Sequence, residues 1–308
     1  MQPREKFYSK ILLFGEYALI VGSQALSIPY RELHGAFSAA AADHPSAFDS
    51  NAHLKKYAAY LQQQEMLRGW LDVDRFKNDI ASGLVFESNI PLGYGLGSSG
   101  ALVAAVYERY GLKNPDEKPV SGERLQQLKN RFALMESWFH GKSSGLDPLI
   151  CYLQQAVKVG ADGQLQTVEI PQPESASGTL FLLDTGTTGE TQPLVNYFMQ
   201  QCEKPDFLHQ IRSELVPLNE KCIAAYLAGH ARELFSCVEQ LSAFTLQHFR
   251  PMIPERLLSF WQKGLENNSY SLKLCGSGGG GMMLGFTRHF EETKKQLELF
   301  PLKKVQQI

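Results

Sequence analysis

Residues 91–100, PLGYGLGSSG, place four glycines and two serines between the strand-like run LVFESNI and the helix-like run ALVAAVYERY. Bare backbone amides from Gly95 through Leu96, Gly97 and Ser98 to Ser99, next to the partial positive charge of a helix start, attract phosphate oxygens. The hydroxyls of Ser98 and Ser99, at the cap and in the first turn, can bond a helix amide or ligate a metal. Taken alone, the segment is equally a plain Gly-rich turn with a serine N-cap. Gly95, Gly97 and Gly100 also satisfy GxGxxG. A dinucleotide fold, however, ends its next strand on an acidic residue about 20 positions on, and here Asp116 and Glu117 lie in the polar loop KNPDEKPV. A Walker A loop fails because no GK[ST] follows.

Three further positions could carry chemistry. HGKSSGLDP, residues 140–148, closes a helix whose apolar Leu125, Leu128, Phe132, Met135 and Phe139 recur at three- and four-residue spacing. Gly145 and Pro148 bracket Asp147 in a constrained turn that can hold one carboxylate rigidly, although a turn-capping aspartate looks the same. Glu136 sits beside the apolar face, and by itself reads as a surface carboxylate. SLKLCGSGGGGMMLGF, residues 271–286, runs a strand into consecutive glycines that include Gly278 and Gly279, which points to close approach of a backbone or a ligand. Lys10, in YSKILLFGEY, reads by itself as a solvated charge at a strand edge.

These positions need regular elements to hold them. Strand patterns fall at 9–14, 84–90, 165–170, 180–183, 271–275 and 282–286, and helical periods near 52–68, 99–110, 122–140, 211–228, 231–248 and 254–266. The EETKKQLELFPLKK run reads as a solvated helix face, and His140 as a cap on carbonyls ahead of the helix-stopping Gly141. A mixed α/β or α+β protein with room for two lobes follows, 1–172 and 173–308, with the boundary placed at the Pro- and Ser-rich PQPESASG, 171–178, which reads as a linker or as a hairpin loop. At 308 residues, 44% hydrophobic and 20% charged, with a formal net charge of −2, the composition is globular and carries no basic stripe for nucleic acid. The five scattered cysteines form no CxxC pair. No apolar stretch reaches the roughly 18 residues of a membrane span, and the amino terminus lacks a leader pattern. A cytoplasmic protein without membrane or nucleic-acid partners is expected.

Taken together, the motifs resemble those of the GHMP small-molecule kinases, a family named for galactokinase, homoserine kinase, mevalonate kinase and phosphomevalonate kinase. PLGYGLGSSG is similar to its PxxxGLGSS phosphate loop, KLCGSGGGG to its carboxy-terminal glycine motif, and SKILLFGEYALIVGSQALSIP to its amino-terminal motif in the mevalonate kinase form. ESWFHGKSSGLDP is similar to the same form's helix and SGxD segment. The resemblance implies an amino-terminal lobe like ribosomal protein S5 domain 2, a ferredoxin-like carboxy-terminal lobe, and transfer of phosphate from ATP to the hydroxyl of a small metabolite. It implies Mg²⁺ on Ser99 and Glu136, Asp147 as acceptor of the hydroxyl proton, and Lys10 as the cation that makes that hydroxyl more acidic. On the acceptor side it implies Glu16, Tyr17, the loop LLDTGTTGETQPLV with Thr185 and Thr188, and Gly278 and Gly279.

Mevalonate is the acceptor that this resemblance favours. Phosphomevalonate and sugars are the alternatives within the class, a metabolite-sensing module without catalysis is the alternative outside it, and a homodimer is compatible with all of these. Residues 182–199 carry no Arg or Lys, which favours an unphosphorylated acceptor. Departures from the pattern are Tyr17 in place of a histidine, Tyr8–Ser9 in place of Pro-Gly, Lys142–Ser143 in place of Asn-Pro, and Gly186 in place of a lysine.

Overall fold

The computed structural model describes residues 4–39, 45–112, 122–172, 176–189 and 191–308, so the KNPDEKPV loop and residues 173–175 lie outside the described residues. In chain order the elements begin with β1 (Phe7–Phe14), β2 (Ala25–Ala39), α1 (Pro45–Gln63), α2 (Val73–Ala81), β3 (Leu84–Ser88) and α3 (Ser98–Tyr110). Next come α4 (Gly122–His140), α5 (Leu146–Leu153), β4 (Ala156–Val159), β5 (Leu165–Val168), β6 (Thr179–Asp184), α6 (Thr191–Cys202) and α7 (Pro205–Gln210). The chain ends with α8 (Val216–Leu227), α9 (Ala231–His248), α10 (Glu255–Glu266), β7 (Ser271–Leu274), β8 (Met282–Thr287), α11 (Phe290–Gln296) and β9 (Leu302–Gln307). Among the described residues no helix is long and apolar enough to cross a membrane.

The elements fall into two compact units whose segments alternate along the sequence. The first comprises residues 1–10, 29–91 and 96–155, and the second 11–28, 92–95 and 156–308. In the first unit, α3 packs against α5 and α4. It is buried nearly all round, from Gly100 to Tyr107 and again at Tyr110, as a helix with no polar face must be. The far half of β2 pairs antiparallel with β3, Gly35 opposite Ser88 through Ala39 opposite Leu84.

In the second unit, β7, β8, β6 and β9 form one four-stranded antiparallel sheet in that order. The near end of β2 pairs with β4, and β4 with β5. Leu180 to Leu183 and all of β8 are buried, with α9 and α10 against β7.

Several elements differ from the sequence expectation for identifiable reasons. β2 went unread because Pro29 and Gly35 interrupt its pattern. Pro29 falls between the stretches that pair with β4 and with β3. The helix expected at 211–228 begins earlier, as α7, and passes through a π-helical turn at Ile211–Leu215 just ahead of Pro217, where the ring removes an N–H from the ladder. The charged run after Phe290 gives only a short helix, and its LKK becomes the start of β9 on β6. Ser177 and Gly178 donate their amides to the carbonyl of Ile308, pinning the end of the 171–178 stretch to the last residue.

Candidate active site

In the first unit, α3 opens on Gly97, which stands in the left-handed region at φ 79°. Gly97 is therefore the N-cap, and Ser98 and Ser99 follow as the first helical residues, which shifts the cap expected at Ser98 by one position. The first intrahelical acceptor is the Gly97 carbonyl, taken by the amide of Ala101, so the amides of Ser98, Ser99 and Gly100 belong to the helix's open end. A Cβ on Gly97 would come 2.9 Å from Lys10 Cγ and 3.5 Å from Cys151 Sγ. The neighbouring Leu96 is buried, and its carbonyl accepts the Lys10 amide at 3.0 Å. Bare backbone here lets β1 and the start of α3 meet.

Glu136, on α4, turns inward and is only 4% exposed. Its carboxylate accepts from Ser99 Oγ at 2.8 Å and from Ser143 Oγ at 2.5 Å. Burial, reinforced by the negative charge of Asp147, pushes its pKa up to about 7 against the opposing pull of Ser143, Ser99 and Lys10. Among the described residues His140 caps no carbonyl; its Nε2 lies 3.1 Å from Ser99 Oγ.

Asp147 occupies the first turn of a real helix, α5, in place of the expected turn. The N-cap, Gly145, has φ 74°, and a Cβ there would fall 2.0 Å from the Lys129 carbonyl oxygen, so only glycine lets α5 start this close to α4. Gly100 does the same for α3, since a Cβ on it would meet the Asp147 carbonyl carbon and the Pro148 nitrogen at 3.0 Å. Asp147 Oδ2 receives Lys10 Nζ at 2.9 Å, the lysine side chain 6% and the aspartate 35% exposed. Lys10 is thus a buried partner of a half-open carboxylate, and the solvated-edge reading is overturned.

In the second unit the remaining positions are gathered differently. Gly95 is exposed, and a Cβ on it would lie 3.0 Å from the Cys275 carbonyl oxygen. Glu16 is buried against Lys273, whose Nζ donates to Glu16 at 2.6 Å and to the Leu274 carbonyl at 2.7 Å. Burial raises the Glu16 pKa despite the lysine. The Tyr17 hydroxyl donates to the Ser277 carbonyl at 2.6 Å, and its ring packs on Phe198 and Phe249.

The glycine loop serves mainly as close-packed backbone. Gly279 donates to Met252 O and Gly281 to Thr187 O, and Gly281 O accepts from the Thr185 amide and hydroxyl. A Cβ on Gly278 would lie 2.4 Å from Met252 O, and one on Gly280 2.7 Å from the Thr188 carbonyl. The Thr185 hydroxyl is therefore committed, whereas Thr188 stands exposed.

Sequence reasoning missed Ser143, His140 as a neighbour of Ser99, Lys273 and Arg256. Lys273 had a signal, a charge between two leucines of an apolar strand. Arg256 had none, since α10 is remote in sequence from the loop at Gly186 that it approaches.

A model of the family described as the GHMP kinases N terminal domain matches residues 53–155. A mevalonate kinase of L. major, solved in complex with R-mevalonate, superposes with a TM-score of 0.68 at 17% identity, covering 100% of this chain and 97% of that one. Over residues 53–155 the chain belongs to the GHMP kinase family. Mevalonate kinase of Thermococcus sibiricus is 27% identical over 207 residues, 64% of this chain, and the matched stretch spans 57% of that relative's length. A Lactococcus lactis galactokinase bound to galactose superposes with a TM-score of 0.63 at 14% identity, over 98% and 93% of the two chains. At such identities these superpositions establish the α+β GHMP kinase fold. The matched family segment contains Leu96 to Ser99, Glu136 and Asp147, and Lys10 precedes it.

Proposed function

We propose that this GHMP kinase family member transfers the terminal phosphoryl group of ATP, with Mg²⁺, to the hydroxyl of a small hydroxy acid, mevalonate being converted to 5-phosphomevalonate. The observation that carries the reading is the Lys10–Asp147 pair at 2.9 Å, a buried cation against a half-open carboxylate, beside the Ser99–Glu136 bond at the start of α3. Phosphoryl transfer asks chiefly for positioning and charge neutralisation, with one group to take a proton. Asp147 would align the acceptor hydroxyl and take its proton, and Lys10 would offset the charge that develops there. The open amides of Ser98, Ser99 and Gly100 would bind phosphate oxygens.

The donor set fits a magnesium ion. Among the described residues no cluster of three or more His, Cys, Asp or Glu is placed to cage a metal. One hydroxyl and one carboxylate 2.8 Å apart are what an ion that keeps waters and phosphate oxygens asks of a protein. Tyr57 adds a buried hydroxyl without a hydrogen-bond partner among the described residues, near enough to the Glu136 charge to be raised by it as well as by burial. Ser99 and Glu136 would hold the ion, which when bound neutralises charge on the transferred phosphoryl oxygens.

The choice of mevalonate rests on the named relatives and on the amino-terminal motif. The test is ADP release from purified protein with ATP, Mg²⁺ and a panel of mevalonate, 5-phosphomevalonate, galactose and homoserine. Mevalonate should be the preferred acceptor. Asp147→Ala should lower kcat by about 10²–10⁴-fold with ATP affinity kept within a few-fold. Release no higher than background with every acceptor rules out a kinase, and full activity in Asp147→Ala rules out the role given to that residue.

A further inference from the structure

The loop after β6, residues 184–189, carries no cation of its own, yet the fold brings one to it. Arg256 is the second residue of α10, a place where the helix dipole disfavours positive charge, so helix stability does not explain it. Its guanidinium lies over the ring of Phe300 at 4.8 Å, and Phe300 is itself buried and braced edge-on by Phe260. Nη1 and Nη2 both come 3.7 Å from where a Cβ on Gly186 would stand, and no other guanidinium atom comes within 4 Å. The edge that bears both nitrogens therefore faces Gly186.

Gly186 has φ 70° and no side chain to cover that edge. Among the described residues no carboxylate pairs with Arg256. The nearby acid, Asp184, is engaged by the Gly186 amide at 2.7 Å and by the hydroxyl of Tyr94. Thr187 and Thr188 are exposed on the same loop.

We infer that Arg256 is a carboxylate-binding residue of the second unit, its two-nitrogen edge beside Gly186 receiving the carboxylate of a short hydroxy acid. A planar fork matches a carboxylate with two parallel hydrogen bonds. A single guanidinium, with no second cation in residues 182–199, suits a singly charged group better than a phosphate ester. The choice of a hydroxy acid as ligand rests on the kinase reading above, whereas the site itself lies wholly within the second unit.

The experiment measures binding and turnover separately. Titration calorimetry with mevalonate and with its neutral triol counterpart, in which CH₂OH replaces the carboxylate, is run on wild type, Arg256→Ala and Arg256→Lys, alongside ADP release. Wild type should prefer the acid by about 10–100-fold, the range of charge-assisted hydrogen bonds. Arg256→Ala should bind acid and triol alike with ATP affinity unchanged, and Arg256→Lys should recover part of the preference. An acid preference that survives in Arg256→Ala, or a wild type that shows none, overturns the inference. If wild type turns over no acceptor while its acid preference depends on Arg256, the kinase reading falls and the carboxylate site stands. Thermal midpoints within a few degrees of wild type show that the exposed substitutions leave the fold intact.

Discussion

Replacing Glu136 by glutamine should stabilise the metal-free protein at neutral pH and do little in mild acid. The carboxyl is 4% exposed and its pKa is raised from 4.5 to about 7, first by burial and then by Asp147. Between those two values the native state holds a proton that the unfolded chain has released, so wild-type stability falls as pH rises through the window and levels off above about pH 7. A shift of that size corresponds to about 3 kcal/mol at pH 8, at about 1.4 kcal/mol per pKa unit. The amide introduced by Glu136→Gln does not ionise, and it can still accept from Ser99 and meet Ser143. Urea unfolding in EDTA, followed by the fluorescence of Trp70 and Trp138 in the first unit, is the assay. With a slope near 3 kcal/mol/M, the variant's midpoint should lie within about 0.3 M of wild type at pH 4.5 and about 1 M above it at pH 8. A midpoint difference that stays constant from pH 4.5 to 8, or a wild type that gains stability across that range, would refute the reasoning.

Two other substitutions probe how the sites are held. Gly100→Ala places a methyl 3.0 Å from the backbone of Asp147 and Pro148. It should cost about 1–3 kcal/mol in thermal unfolding and, by moving the carboxylate, lower kcat by about 10–100-fold; a wild-type midpoint and rate would contradict the close packing of α3 on α5. Lys273→Met strands Glu16 in the interior and should destabilise by about 3–5 kcal/mol, whereas the double change with Glu16→Leu should recover most of that. Because the Glu16 pKa is already raised by burial, the single-variant loss should grow from pH 5 to 8, and a pH-independent loss would count against an unpaired carboxylate.

The chemistry-bearing residues were legible as spacings, and their partners were not. Glycine next to serine at 97–99 marks a helix start because that pairing does little else between a strand and an apolar run. Glu136 and Asp147 stand eleven apart, with Gly141 ending one helix and Gly145 opening the next, which returns the chain on itself. Whether Glu136 faces water or the interior is decided by Ser99 and Ser143 and by the helices around it, so an amphipathic wheel leaves it at the margin. The pairing of Lys10 with Asp147 spans most of the first unit's sequence, and no local pattern encodes it. The strand β2 was hidden by a proline and a glycine that matter only where partners must be hydrogen-bonded. The approach of Arg256 to Gly186 depends on where a whole helix docks.

The alternation of the two units along the chain sets an order on biogenesis. Lys10 leaves the ribosome first, and at about 5–20 residues per second the carboxylate it pairs with follows roughly 7–27 s later. Through that interval the nascent first unit lacks α4 and α5, the helices against which α3 packs. The sheet of the second unit waits longer still, since β6 takes β9, the last strand among the described residues, as an edge partner. A cut or a premature stop before residue 302 therefore leaves β6 with an unpaired edge, and early termination products should be drawn to chaperones or aggregation and should not accumulate as stable halves.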